Sequence, residues 1–275
     1  MEMPTKELQP APYTPPPSDA PPKRILHARF SDPLHWLLQA VRDFRAHLGI
    51  SSFYGIAFWL MAVLLSAVFK SKPEYTMSIA SGCLLLGPFL AMGLYEVSRL
   101  RELGLEPELS KSITCWDTHL KSMGLLVLVL IVLELLWGRA SLVVFAVFFN
   151  TGMPSTTGVI RAIFNPDNWE FIVAYTLVGG GFAVLVFATA VVSIPTILDR
   201  DTDAITAAIT SLEVVFNNTA VMMLWGVLIT ALVVLAFLTP WAMGLLLVGP
   251  ILGYASWYAY RGTVQWIDKE SDEPV

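Results

Sequence analysis

The sequence contains few charged residues, few cysteines and little net charge. Charged side chains make up 14% of its 275 residues, whereas soluble domains carry about 25%, so an ordinary soluble domain is excluded. The net charge of −5 provides no basic surface for nucleic acid. Cys83 and Cys115 match no metal-binding or redox spacing, and we expect both thiols to be inert.

Motifs for catalysis are absent from the sequence as well. Four histidines (His27, His35, His47 and His119) all lie outside the long apolar runs, so no haem or copper ligands are expected within a membrane. There is no Ser/His/Asp set, no phosphate-binding glycine loop and no catalytic carboxylate pair. We therefore predict that the protein is not an enzyme and holds no metal and no cofactor.

Long apolar runs are what the sequence has in quantity. Ala220 to Tyr260 carries no charge and is interrupted only by Thr239-Pro240. A bilayer core needs roughly 20 apolar residues per crossing helix, so this stretch predicts two spans joined by a tight turn. Earlier runs predict four more spans, at 50–69, 77–97, 123–149 and 171–198. The predicted fold class is an all-α membrane protein with six transmembrane helices in three hairpins.

A short amphipathic helix is predicted before each hairpin. Apolar residues recur at i, i+4, i+7 and i+11, which is the spacing of one helix face. The three sets are Leu37, Val41, Phe44 and Leu48; Leu109, Ile113, Trp116 and Leu120; Ile205, Ile209, Leu212 and Phe216. We expect each stripe to lie in the headgroup region or against the bases of the spans.

The second span of each hairpin carries a proline near its surface-helix end: Pro88, Pro195 and Pro250. Proline kinks a membrane helix and frees a carbonyl. Together with the surface helices, this placement predicts a threefold internal repeat.

Two of these spans also carry small residues four apart, which let helices approach closely. The pairs are Gly87 with Ala91 and Gly249 with Gly253. Packing between repeats and packing at a subunit interface are both open interpretations.

The run at 123–149 is longer than one upright crossing needs and contains Glu134 and Arg139. It is either one tilted helix or a helix that ends near Arg139, followed by an interfacial segment. A charged side chain in mid-membrane costs about 2.5–3.5 kcal/mol on insertion scales, so Glu134 is a candidate functional carboxylate. We favour the second alternative, which places Glu134 one turn from water.

Three regions are predicted along the chain: a Pro-rich, disordered tail at 1–30, a membrane domain at 31–262 and a polar tail at 263–275. No apolar run occurs in 1–30, so we expect no signal peptide. Thirteen of the 17 Lys and Arg residues fall on the side of the termini and surface helices. The positive-inside rule therefore predicts cytoplasmic N- and C-termini.

Four stretches of the chain carry a resemblance to a known family. They are Asp32 to Phe44, Tyr54-Gly55, Gly87 to Arg99 and Pro195 to Asp201. They resemble a bacterial family of six-span integral membrane proteins catalogued as a domain of unknown function, some members of which are labelled cytochrome c oxidase components. The resemblance covers about residues 30–265 and implies an inner-membrane location but no activity. Without histidines in the spans, the oxidase label implies at most an accessory or assembly role.

These observations favour a non-catalytic accessory or assembly subunit of a larger inner-membrane complex, with a respiratory complex suggested by the resemblance. One alternative is a small-solute or ion transporter or channel that uses Glu134 and the proline-kinked spans. Another is a lipid-binding or membrane-organising protein that acts through its surface helices. The expected partners are membrane lipids and partner subunits, and not nucleic acid.

Overall fold

The computed structural model describes residues 22–71, 76–149 and 165–267. This part of the chain is all-α apart from two short strands, β1 (Lys23–Ile25) and β2 (Val264–Trp266). Its helices are α1 (Asp32–Ala46), α2 (Leu48–Ser71), α3 (Thr76–Glu102), α4 (Leu109–Thr114), α5 (Leu120–Phe148), α6 (Trp169–Ala190), α7 (Ser193–Arg200), α8 (Ala204–Asn217), α9 (Thr219–Leu238) and α10 (Leu245–Thr263).

Four helical stretches in the described residues are long and apolar enough to cross a membrane. They are α2, the stretch Leu109–Phe148 with α4 and α5, the stretch Pro166–Arg200 with α6 and α7, and α9. The helices α3 and α10 lie where the second and sixth spans are predicted but are not among these four. An all-α protein with several membrane-spanning helices is therefore supported, and the count of six spans remains a prediction.

The centre of the described part is formed by α3, by α10 and by the short helix α7 at the end of the predicted fourth span. The helices α3, α7 and α10 contact one another and contribute Leu94, Ile197 and Trp257, each with 0% of its surface exposed. Around them, α2 packs on α3 and α10, and α5 packs on α3 and α6. The core therefore lies where these three helices meet.

The three short helices pack onto these central elements in a regular order. The helix α4 contacts α3, α8 contacts α6 and α7, and α1 contacts α10. Each short helix thus lies against the second helix of the preceding predicted hairpin, with the first helix of the chain packed on the last.

The face that α8 buries is not its predicted apolar stripe. Ala207, Ser211 and Val214 are buried, whereas Ile205 is 64% exposed and Phe216 is 74% exposed. Small side chains allow close packing on α6 and α7, which leaves the apolar stripe on the outside, where a membrane interface would cover it.

Both ends of the described chain meet in one antiparallel sheet. Arg24 lies opposite Gln265, and the Leu26 amide donates to the Thr263 carbonyl at 2.9 Å. The folded part therefore begins before residue 31 and continues beyond residue 262, in contrast to the predicted boundaries. Strands of three residues are too short to show an alternating pattern. The prediction of a disordered tail otherwise concerns residues 1–21, which lie outside the described part.

Candidate functional site

A buried carboxylate on α1 joins three helices. Asp43 has 0% of its surface exposed and accepts hydrogen bonds from Ser98 Oγ at 2.5 Å and Tyr258 Oη at 2.7 Å. It also forms an ion pair with Arg101. Because an ion loses its hydration when buried, such a charge persists only when partners like these replace the water. Asp43 therefore ties α1 to both α3 and α10.

Two further polar contacts lie at the same end of the central helices. On α3, the guanidinium of Arg99 donates to both oxygens of Glu96, at 2.7 and 3.0 Å. On α10, Tyr260 Oη donates to Asp199 of α7 at 2.6 Å and accepts from the Trp266 indole at 2.6 Å. The two contacts of Tyr260 connect α7, α10 and β2.

The electrostatics of this end stabilise the charged form of Arg99. The hydrogen bonds to Glu96 raise the pKa of the Arg99 guanidinium above its ordinary value, and the charges of Glu96 and Asp199 act in the same direction. We call this set the polar clamp; its members are Asp43, Glu96, Ser98, Arg99, Arg101, Asp199, Tyr258, Tyr260 and Trp266. The polar clamp stabilises the fold, because its carboxylates accept hydrogen bonds from other groups of the protein.

Sequence reasoning did not single out the polar clamp. The predicted apolar stripe of α1 did not include Asp43, whereas the structure buries Asp43 together with Trp36 and Ala40. The sequence did contain one indication of this burial. Asp43 lies seven residues after Trp36 and four before His47, and these spacings place the three side chains on one helix face. A buried charged residue needs a partner. The partner of Asp43 could not be found from the sequence, because Arg101 is distant along the chain.

Glu134 occupies the middle of a continuous helix. The helix α5 runs without a break from Leu120 to Phe148, which places Glu134 about 21 Å from either end at 1.5 Å per residue. The favoured alternative, a helix that ends near Arg139, is therefore wrong. Glu134 is half-buried and has an interaction partner. It lines neither of the two apolar recesses described below.

The small residues of α10 lie at close helix contacts. A Cβ atom added at Gly249 would lie 2.7 Å from Phe58 Cδ2, and one added at Gly253 would lie 2.4 Å from Leu94 Cδ1. These neighbours belong to α2 and α3 of the same chain. The geometry thus places this pair at contacts between helices of one molecule.

The corresponding region of α3 is more open. A Cβ atom added at Gly87 would meet nothing within 4 Å, and Ala91 is partly buried against the core. Of the three prolines, Pro88 and Pro250 lie within the helices α3 and α10. Pro195 lies in the first turn of α7, so the break in the predicted fourth span precedes it.

Two apolar recesses open between helices, and no residue of the polar clamp lines either of them. The first, which we call the α2–α3 groove, has a volume of about 620 Å³ and ends at Ile113 and Trp116. The second, the α6–α9 cleft, has a volume of about 530 Å³ and is lined partly by Gly180 and Gly226. Apolar walls of this kind suit hydrocarbon chains or apolar side chains of a partner.

Helices of this length and composition define an integral membrane protein. The comparison with protein families agrees: residues 76–199 match a family described as "Predicted integral membrane protein (DUF2189)", a domain of unknown function. The resemblance inferred from sequence is therefore confirmed over this segment, which begins at α3 and ends in α7. It includes the clamp residues Glu96, Arg99 and Asp199. No curated protein and no solved structure matches the chain.

Proposed function

We propose that this integral membrane protein is a non-catalytic accessory or assembly subunit of a larger complex in a bacterial inner membrane. The observation that carries this proposal is the α6–α9 cleft. Its walls combine the glycines Gly180 and Gly226 with apolar side chains such as Val184 and Val227. Small residues at a helix surface allow another membrane helix to approach closely.

The cleft has room for larger side chains within the isolated protein. A Cβ atom added at Gly180 would meet nothing within 4 Å, and one added at Gly226 would lie 3.6 Å from Phe187 Cζ, an ordinary contact. Packing within this chain therefore does not require glycine at either position. We infer that the two glycines serve a helix of a partner subunit.

The arrangement of the chain ends supports the proposed orientation. The pairing of β1 with β2 places both ends of the described chain together, as expected for an even number of crossings. The distribution of Lys and Arg supports a cytoplasmic location for this side. The regular packing of α1, α4 and α8 on the second helices supports the threefold repeat and, with it, six spans.

Substitution of the cleft glycines tests this proposal. We expect Gly180→Leu and Gly226→Leu to leave the fold intact but to remove partner subunits from the protein purified in mild detergent. Gly124→Leu is the matched control, because a Cβ atom added at Gly124 also meets nothing within 4 Å and Gly124 does not line the cleft. A protein that runs alone in all four forms would contradict the proposal.

A transporter or channel that uses Glu134 is a second candidate. The unbroken course of α5 through Glu134 favours it, since a carboxylate that deep in a membrane is costly and usually functional. It predicts ion or solute flux in reconstituted vesicles that is lost in Glu134→Gln. Flux that is absent from the wild type, or unchanged in the variant, would exclude this candidate.

A further inference from the structure

The walls of the α2–α3 groove accept hydrocarbon and nothing polar. Ala57 and Leu60 of α2 face Leu86 and Phe89 of α3 across it. Tyr54 contributes the one hydroxyl among the lining side chains, and that group is within 2.7 Å of Ser112 Oγ. Ser112 Oγ in turn donates to the Gly93 carbonyl at 2.7 Å.

The length of the groove matches one leaflet of a bilayer. Its α2 wall runs from Phe53 to Met61, about 12 Å at 1.5 Å per residue, and half of a hydrocarbon core is about 15 Å. At the end near Phe53 the groove reaches Ile113 and Trp116, beside α4. A transmembrane helix would need the full thickness of the core, so an acyl chain of one leaflet fits better.

Two charged residues follow directly on groove residues at this end. Trp116 and Leu120 line the groove, and Asp117 and Lys121, the next residues in the chain, are exposed. A tryptophan at such a position is typical of the membrane interface.

The other charges nearby are already paired. Lys111 pairs with Glu108 at 2.9 Å, and His119 lies 2.8 Å from Asp201. Within the described residues, no ion pair of 4 Å or less is formed by Asp117 or Lys121. One carboxylate and one ammonium thus follow in the chain directly on residues that line the groove, and together they are the charge complement of a zwitterionic headgroup.

We propose that the α2–α3 groove binds a phospholipid with a primary ammonium headgroup, phosphatidylethanolamine, in the leaflet next to the surface helices. One acyl chain lies between α2 and α3. Lys121 binds the phosphate, as lysine does in many proteins. Asp117 accepts hydrogen bonds from the primary ammonium, whereas the quaternary ammonium of phosphatidylcholine has no N–H group to donate. This site lies between α2 and α3, whereas the cleft lies between α6 and α9. The lipid proposal therefore does not depend on the proposed accessory function.

Native mass spectrometry of the full chain, delipidated and then titrated with phosphatidylethanolamine, phosphatidylcholine or phosphatidylglycerol of equal chain length, tests the site. We expect wild type to retain phosphatidylethanolamine best. Ala57→Phe, which fills the groove, removes this bound lipid, whereas Ala183→Phe in the α6–α9 cleft does not. The same number of lipids bound to wild type and Ala57→Phe would overturn the proposal.

The charge variants distinguish the headgroup contacts from simple burial of the acyl chain. Lys121→Gln is expected to weaken retention of phosphatidylethanolamine about fivefold, the effect of about 1 kcal/mol for one lost hydrogen bond. Asp117→Asn is expected to shift the preference toward phosphatidylglycerol. Both residues are exposed, so folding should be unaffected. Equal retention of the three lipids by all forms would show bulk lipid only and would refute the proposal.

Discussion

The clamp end and the outer apolar surface of the protein hold their helices in different ways. At the clamp end, Asp43 has 0% exposure and contacts side chains from two other helices. The outer spans are different. Only 17% of the most apolar part of α2, and 11% of the most apolar part of Leu109–Phe148, is buried inside the protein. At the clamp end, the polar groups find their partners within the chain. Along the outer spans, most of the apolar surface is left for the surroundings to cover.

This difference follows from the physics of a membrane. Lipid tails are as apolar as leucine, so the hydrophobic effect does not drive membrane helices together. Hydrogen bonds, ion pairs and close packing must hold the bundle instead. The polar clamp supplies these at one end, and the exposed apolar surface remains available to lipid and to partner helices.

Removal of the central carboxylate should have the largest effect. Asp43→Ala leaves the Ser98 and Tyr258 hydroxyls without their acceptor, and an unsatisfied buried group costs about 1–3 kcal/mol. Loss of the ion pair with Arg101, whose side chain is 39% exposed, adds less. We expect a large fall in the thermal unfolding temperature in detergent. The exposed Glu108, which pairs with Lys111, provides a control: Glu108→Gln should leave that temperature unchanged. Equal effects of the two substitutions would show that the clamp does not hold the bundle.

A substitution that disturbs the close packing between α2 and α10 should have the second-largest effect. A Cβ atom added at Gly55 would lie 2.2 Å from the Leu246 carbonyl oxygen, and overpacking of this kind costs about 1–3 kcal/mol. We expect Gly55→Ala to lower the unfolding temperature. In the same helix, Gly49 has nothing within 4 Å of such an atom, so Gly49→Ala should be neutral or stabilising. A stable Gly55→Ala would contradict the close contact.

The N-cap of α8 gives a smaller, pH-dependent effect. Asp203 Oδ1 accepts from the Ile205 and Thr206 amides at 2.9 and 3.0 Å. The Thr206 hydroxyl and these amides lower the pKa of the Asp203 carboxyl below its ordinary value of 3.8. Asp203→Ala should therefore cost about 1 kcal/mol at neutral pH.

The sign of the pH dependence follows from that lowered pKa. The contribution of Asp203 is fully present above its ordinary pKa and is lost as the pH falls through the lower value of the folded state. The stability difference between wild type and Asp203→Ala should thus shrink in acid. A difference that stays constant down to pH 2 would contradict the cap. Thr206→Ala, which keeps the amides, should show only part of the effect.

The smallest effect concerns a thiol beside the polar clamp. Burial, with the negative charge of Glu96, raises the pKa of Cys115 to about 12, so little of the reactive thiolate exists at pH 8. In a Cys83→Ser background we expect slow maleimide labelling of Cys115 until the protein unfolds. A cysteine at the exposed Ser110 position should react quickly. Equal labelling rates would show that the region around Cys115 is open.

The sequence predicted the apolar helices well because length and composition decide membrane insertion. The predicted spans at 50–69 and 123–149 lie within α2 and within α5 with the residue after it. The apolar composition of a helix can be read from the sequence without knowing which other helices it contacts. For this reason the membrane class could be recognised without knowledge of the packing.

Contacts between distant residues could not be predicted in the same way. The partner of Asp43 is Arg101, in a different helix, and no local pattern links them. The stripe of α8 was recognised, but which face would be buried depended on the small residues Ala207 and Ser211 meeting α6 and α7. The α6–α9 cleft also depends on how two separate helices diverge. Such features arise from packing, which a single sequence does not encode locally.

On the proposed function, the exposed apolar surface includes a docking site for a partner subunit. Photo-crosslinking in native membranes addresses it directly, with a photoreactive residue at Val227 in the α6–α9 cleft or at Val143 on α5. These valines are 64% and 63% exposed, so they match in access. We predict a discrete protein adduct from position 227 and only lipid adducts from position 143; lipid adducts alone from both positions would contradict the claim.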